Sequence, residues 1–96
     1  MKQYTIFALD YTDAGAPGRR MEAREAHLEG VRQLKAQGRF LFAGAILDDG
    51  NRMIGSNLIL QFESETELLQ WKEREPYIAG KVWEKIEIRP LRVATV

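Results

Sequence analysis

The stretch Arg39–Glu67 reads RFLFAGAILDDGNRMIGSNLILQFESETE. RFLFAGAIL is rich in aromatic and branched apolar residues, the chemistry of a strand. DDGN follows as a hairpin signal, with Gly50 able to take the positive φ of a tight turn. The spaced acidic ligands and closing Glu of a calcium loop are absent. SNLILQFE is the return strand. SETE, Ser64–Glu67, is a capping box: the Ser64 hydroxyl can accept from the Glu67 amide while the Glu67 side chain returns to the Ser64 amide. A hairpin that runs straight into a helix start fixes the middle of the fold.

Outward from this stretch, a helix is expected from about Arg19 to Gln37, closed by Gly38 at the C′ position. TDAGAPG before it is turn chemistry, and Pro17 with its flanking glycines breaks any regular element. GAPGRR lacks the Gly-Lys-Ser/Thr of a phosphate loop. QYTIFALDY is apolar on both faces up to Asp10 and reads as a central strand covered on both sides. On the other flank, Leu68, Leu69 and Trp71 mark a second helix, which Pro76 ends. KVWEKIEIRPL sets Ile86 and Ile88 against Lys85, Glu87 and Arg89, the alternation of a half-exposed strand. The order β-α-β-β-α-β is the split βαβ, ferredoxin-like pattern of an α+β domain, residues 1–96 as one domain. Right-handed crossovers put both helices on one face of a four-stranded antiparallel sheet. The other face is left bare, and a second copy of the chain can cover it, so a homodimer through the sheet face is expected.

The 96 residues carry 14 Lys and Arg against 14 Asp and Glu, a formal net charge of zero. A dedicated nucleic-acid binder needs clustered positive charge, so no nucleic-acid partner is expected. With no cysteine, disulfides, thiolate catalysis and Cys-based zinc sites are excluded. The apolar run at the start is too short for a signal peptide, and no stretch approaches the ~20 residues of a spanning helix. The expectation is a cytoplasmic protein with no membrane partner.

His27 is the single histidine. At about 100° per residue, Leu28, Val31 and Leu34 share a helix face with Met21 at its edge, and Arg20, Arg24 and His27 point the same way. That face is polar in its first half and apolar in its second. Either the first half overhangs the sheet and its arginines reach water along apolar stems, or the three side chains line a pocket between helix and sheet. Two carboxylates compete as partners. Asp10 ends the first strand, near the start of the first helix, and serves equally as a turn or capping Asp. Glu75 lies on the inner face of the second helix, seven residues after Leu68, or is a solvated carboxylate at a helix end. One imidazole and one carboxylate within hydrogen-bond reach suffice for general acid–base chemistry near neutral pH. A lone His does not make a metal site, and Ser56 and Ser64 have no triad context. No metal and no cofactor are expected.

YTIFALD, REAHLEGVRQLKAQGRFLFAG, GSNLILQFES and EPYIAGKVWEKIEIRPL, in this order, resemble the YCII-related domain family over nearly the whole chain. The specific parts are Arg24-x-x-His27-Leu28, Gly38-Arg39, Ala43-Gly44, Gly55-Ser56 and Pro76-Tyr77 followed by Gly80. The resemblance implies the dimeric α/β-barrel form of the ferredoxin-like fold. It implies a catalytic histidine at His27 and a carboxylate from an Asp-Pro-Tyr/Phe motif, where this chain has Glu75, one methylene longer. Asp10 matches another acidic position common in the family. Arg24, Arg20, Gly44 and Ser56 become candidate substrate-binding residues. The family's frequent Gly-Pro after the second strand is Gly44-Ala45 here. The implied activity is lyase or isomerase chemistry, without a cofactor, on a small oxygenated and often ring-shaped compound. The alternatives are a binding module that keeps the pocket without turnover, and a purely structural dimer.

Overall fold

The computed structural model describes all 96 residues, Met1–Val96. The element order is β1 (Lys2–Asp10), α1 (Ala16–Ala36), β2 (Phe40–Leu47), β3 (Met53–Phe62), α2 (Glu65–Arg74), α3 (Pro76–Ala79) and β4 (Trp83–Leu91). The strands form one antiparallel sheet in the order β2-β3-β1-β4. This is the expected ferredoxin-like α+β arrangement, with a short third helix added.

The register decides which residues make the core. Tyr4, Ile6 and Ala8 of β1 lie opposite Leu60, Leu58 and Ser56 of β3. With period two, these residues share one sheet face. The helices cover that face: Leu34 of α1, Leu68 and Trp71 of α2 and Tyr77 of α3 join Ile6, Leu58, Leu60 and Phe62 in one buried cluster. Gly55 sits close against β1, because a Cβ there would run into the Ala8 carbonyl oxygen. Phe7 and Phe42 point to the other face and stay 44% and 48% exposed. The expectation of a first strand covered on both sides therefore does not hold within one chain.

Element ends depart from the sequence reading in instructive ways. α1 begins at Ala16, before the expected Arg19, with Pro17 inside its first turn. Proline's fixed φ suits that turn, where its missing N–H would have no helical partner. Asp13 stabilises this start: its Oδ2 accepts from the Gly15 amide at 3.1 Å and pairs with Arg19 at 2.7 Å. The Arg19 guanidinium holds the Asp13 carboxyl down to about 2. Gly38 takes φ +73° beyond the helix end, as expected. In the hairpin, Asn51 and not Gly50 has the positive φ, at 63°. Asp48 Oδ1 accepts from the Gly50 and Arg52 amides and so organises the turn itself. At α2 the Ser64 hydroxyl accepts from the Glu67 amide at 3.3 Å. The Glu67 carboxylate returns to the Glu63 amide, one residue before the one expected, and also pairs with Arg39. No helix is long and apolar enough to cross a membrane.

Candidate functional site

Ala16, Arg20, His27 and Leu34 are the buried residues of α1. Their spacing of four, seven and seven makes one stripe that faces the sheet. The polar half of the helix face is thus inside the molecule, and Met21, expected at its edge, is 58% exposed. Arg20 does not reach water. Its Nη1 donates to both Asp10 carboxylate oxygens at 2.9 Å, and its Nη2 donates to the Gly55 carbonyl at 2.9 Å and to Ser56 Oγ at 3.0 Å. Both Nη atoms are engaged, and the buried Nε–H has no partner. Burial pushes the Asp10 carboxyl above its usual range, against the pull of the Arg20 guanidinium. Asp10 is therefore the partner of Arg20, and the His27 carboxylate is another residue.

That residue is Glu75, and Pro76 explains its position. A residue before proline is pushed out of the helical region. Glu75 has φ −67° and ψ 118°, which ends α2 and makes Glu75 the N-cap of α3. Its side chain turns back into the protein and is 3% exposed, not solvated. Oε1 accepts from the Tyr77 amide at 3.1 Å and lies 2.5 Å from His27 Nδ1. A carboxylate acceptor there puts a proton on Nδ1 and leaves the Nε2 lone pair of the neutral ring free. Nε2 bonds nothing within the chain and still touches solvent.

Aromatic rings fix the imidazole plane. The Tyr77 ring stacks on it with centroids 3.9 Å apart and 7° between planes, and Trp83 meets its edge at 6.0 Å. The Arg20 guanidinium packs over the same Tyr77 ring, 4.9 Å from its centroid. Arg20 and His27 lie two helical turns apart, about 10.5 Å along the axis, which leaves room for one ring between them. Desolvation raises the Tyr77 phenol above its ordinary value, so it stays protonated at neutral pH. Sequence reasoning missed Tyr77 and Trp83. The available signal was Pro76, which starts a new helical turn at the residue that carries the ring.

Arg24, His27, Gly44, Ser56 and Tyr77 line a cleft of about 180 Å³ between α1 and β2–β3. Glu75 stands behind His27 and does not line it. Arg24 is half-buried and, unlike Arg20, forms no ion pair in the chain. A broader recess of about 640 Å³ adjoins the cleft and shares Arg20 and Met53 with it; Asp10 lines that recess. A larger groove, about 750 Å³, lies between α2 and the end of β4, lined by Lys2, Leu69 and Lys72 among others, and contains neither His27 nor its partners. No three His, Asp or Glu side chains gather as metal ligands would.

Comparison with known proteins places the chain in a family. The chain is 33% identical over 95 residues to an uncharacterised protein of Haemophilus influenzae, an alignment covering 93% of this chain and 95% of that one. It is 32% identical, with the same coverage, to the protein YciI of Escherichia coli. Among solved structures, the 5-chloro-2-hydroxyhydroquinone dehydrochlorinase of Burkholderia phenoliruptrix, in complex with 2,5-dihydroxybenzoquinone, superposes with a TM-score of 0.81 at 24% identity, covering 96% of this chain and 95% of that one. A dimeric ferredoxin-like protein from Jannaschia superposes with a TM-score of 0.54 at 17% identity, covering 97% and 100%. The chain shares the ferredoxin-like fold with these structures. With the model of the YCII-related domain matching residues 4–92, the chain belongs to the YCII-related domain family.

Proposed function

We propose that the chain is a small enzyme that moves a proton on a small oxygenated, ring-shaped compound, in a reaction of lyase or isomerase type. The carrying observation is the buried His27–Glu75 pair, with Nε2 left free, beside a cleft that His27 lines together with an unpaired arginine. Glu75 fixes the ring and its tautomer and stabilises the imidazolium once Nε2 has taken a proton. Arg24 receives the negative charge that the substrate brings or develops. The extra methylene of Glu75 does not part it from His27, since Oε1 stays within hydrogen-bond reach. The dehydrochlorinase with 2,5-dihydroxybenzoquinone bound supports the substrate class. A homodimer through the open sheet face is part of this reading.

Titration with 2,5-dihydroxybenzoquinone, followed by its visible absorbance and by exchange of its ring hydrogens in deuterium oxide, tests the proposal. The parent should bind it, Arg24→Gln should weaken binding about tenfold, and Lys72→Gln in the distant groove should change nothing. His27→Gln should slow the exchange of bound compound about 100-fold. Equal exchange by the parent and His27→Gln, with binding intact, would reassign the chain to a binding module. Binding indifferent to both Arg24 and His27 would remove the cleft from consideration.

A further inference from the structure

Ser56 is 3% exposed and sits at the base of the cleft. Its oxygen receives two N–H donors: Arg20 Nη2 at 3.0 Å and Trp83 Nε1 at 3.1 Å. A serine hydroxyl has two lone pairs and one proton. Both lone pairs are taken, and Cβ holds a third tetrahedral direction. One direction remains, and it belongs to the O–H. That proton meets no acceptor within the chain. A buried donor without an acceptor is costly, so its place beside a cleft calls for an explanation. The local sequence supplies the room: Ala45 lies opposite Ser56 on β2, next to Gly44, and neither side chain can fill the space. With both lone pairs engaged by donors, the oxygen has no electron pair to offer as a nucleophile.

We propose that Ser56 is the hydrogen-bond donor for a substrate oxygen that becomes negatively charged, and that the substrate is therefore an enolisable carbonyl compound or its phenolic equivalent. The inference rests on the reading of the cleft as an acid–base site. In the step, His27 Nε2 takes a proton from the carbon next to the carbonyl. The C–H electron pair becomes a C=C bond, and the carbonyl π pair moves onto oxygen. The Ser56 O–H meets that oxygen from the sheet side of the cleft and Arg24 meets it from α1, while Glu75 holds the imidazolium. The electron pair then returns as the proton goes back to another carbon or as a leaving group departs. The donor is fixed before the reaction: Arg20 is itself tied to Asp10 and Gly55, and Trp83 is 4% exposed. Such a donor needs no reorganisation as charge develops. Asp10, Arg20 and Trp83 are positioning residues in this scheme.

The test uses 4-nitrophenol, whose phenol and phenolate forms absorb differently, so one titration reads the affinity for each. The parent should favour phenolate over phenol. Ser56→Ala should lower phenolate affinity about tenfold, as expected for one charge-assisted hydrogen bond, with phenol affinity little changed. A structural role alone would lower both alike. Ser56→Thr should restore the preference. Should Ser56→Ala fold poorly, Ser56→Cys keeps an atom against Arg20 and Trp83 but is a weak donor, and should fall between the parent and Ser56→Ala. If Arg24→Gln weakens phenolate binding while the Ser56 variants keep the parent's phenolate-to-phenol ratio, the donor role is overturned and the acid–base reading stands. If the parent does not bind the probe, or neither Arg24→Gln nor His27→Gln alters binding, both fall together.

Discussion

At the scale of single residues, His27 and Glu75 form a pair whose structural and chemical duties coincide. The side chains are 8% and 3% exposed, and Glu75 Oε1 also caps α3 through the Tyr77 amide. Removing one member of a buried pair leaves the other without its partner, at a cost of about 3–5 kcal/mol if the survivor is charged and about 1–3 kcal/mol if it is only unsatisfied. His27→Leu should therefore destabilise the chain by about 3 kcal/mol at neutral pH, although leucine packs well beside Tyr77 and Trp83. Adding Glu75→Gln to His27→Leu should recover part of that loss, because a neutral amide still accepts from Tyr77 and no charge is stranded. Urea melts of the three proteins read this directly. A His27→Leu midpoint equal to the parent's would mean that Glu75 is solvated and that the pair is no part of the interior.

At the scale of elements, α2 shows how one helix face is specified. Leu68 and Trp71 are 4% and 5% exposed, while Leu69 is 50% exposed. Trp71 lies against Phe62 of β3 with ring centroids 6.2 Å apart. Truncating a core aromatic of this kind costs about 3–5 kcal/mol, a large part of the ~5–15 kcal/mol that holds a domain together. Trp71→Ala should show that loss in a denaturation midpoint, and Leu69→Ala should stay within about 0.5 kcal/mol of the parent. Equal effects would mean that α2 is rotated about its axis. The strand and helix order, the Gly38 end of α1 and the Ser64 cap were legible because periodicity and capping are local. The polar half of α1 was legible as a choice between solvent and a pocket. The local pattern could not decide it, because burial of Arg20 depends on Asp10, Gly55 and Ser56, which β1 and β3 deliver from 10 to 36 positions away. The sequence offers Glu75 either the inner face of α2 or a solvated helix end. Its inward turn follows from Pro76, yet its contact with His27 spans 48 positions and arises only in the packed molecule.

At the scale of the whole molecule, the sheet has two unequal faces. The helices cover the face of Ile6 and Leu58; Phe7 and Phe42 stand on the other. A folded monomer of 11.0 kDa is expected to expose about 5,600 Å². This chain exposes 6413 Å². The excess is close to the ~800 Å² that each partner contributes to a standard interface. The radius of gyration, 13.3 Å, already matches the ~13 Å of a compact chain near this length, so the excess does not come from an unfinished core. It includes the exposed face of Phe7 and Phe42, which a second copy would cover, together with the exposed chain end after β4. Lys85, Glu87 and Arg89 share that face with Phe7, since Glu87 lies opposite Phe7 in the register. Their mixed signs along β4 give the apolar centre a polar flank, the pattern of an interface core with its rim. Sedimentation equilibrium at micromolar concentration should therefore give about twice the chain mass for the parent. Phe7→Glu places a carboxylate at the centre of this face, directly opposite Glu87, and should shift the protein to monomer. Because Phe7 points away from Ile6 and Leu58, the variant should keep the parent's circular dichroism. A parent that sediments as a monomer at every concentration would sink the dimer. A Phe7→Glu variant that remains dimeric would move the interface off this face.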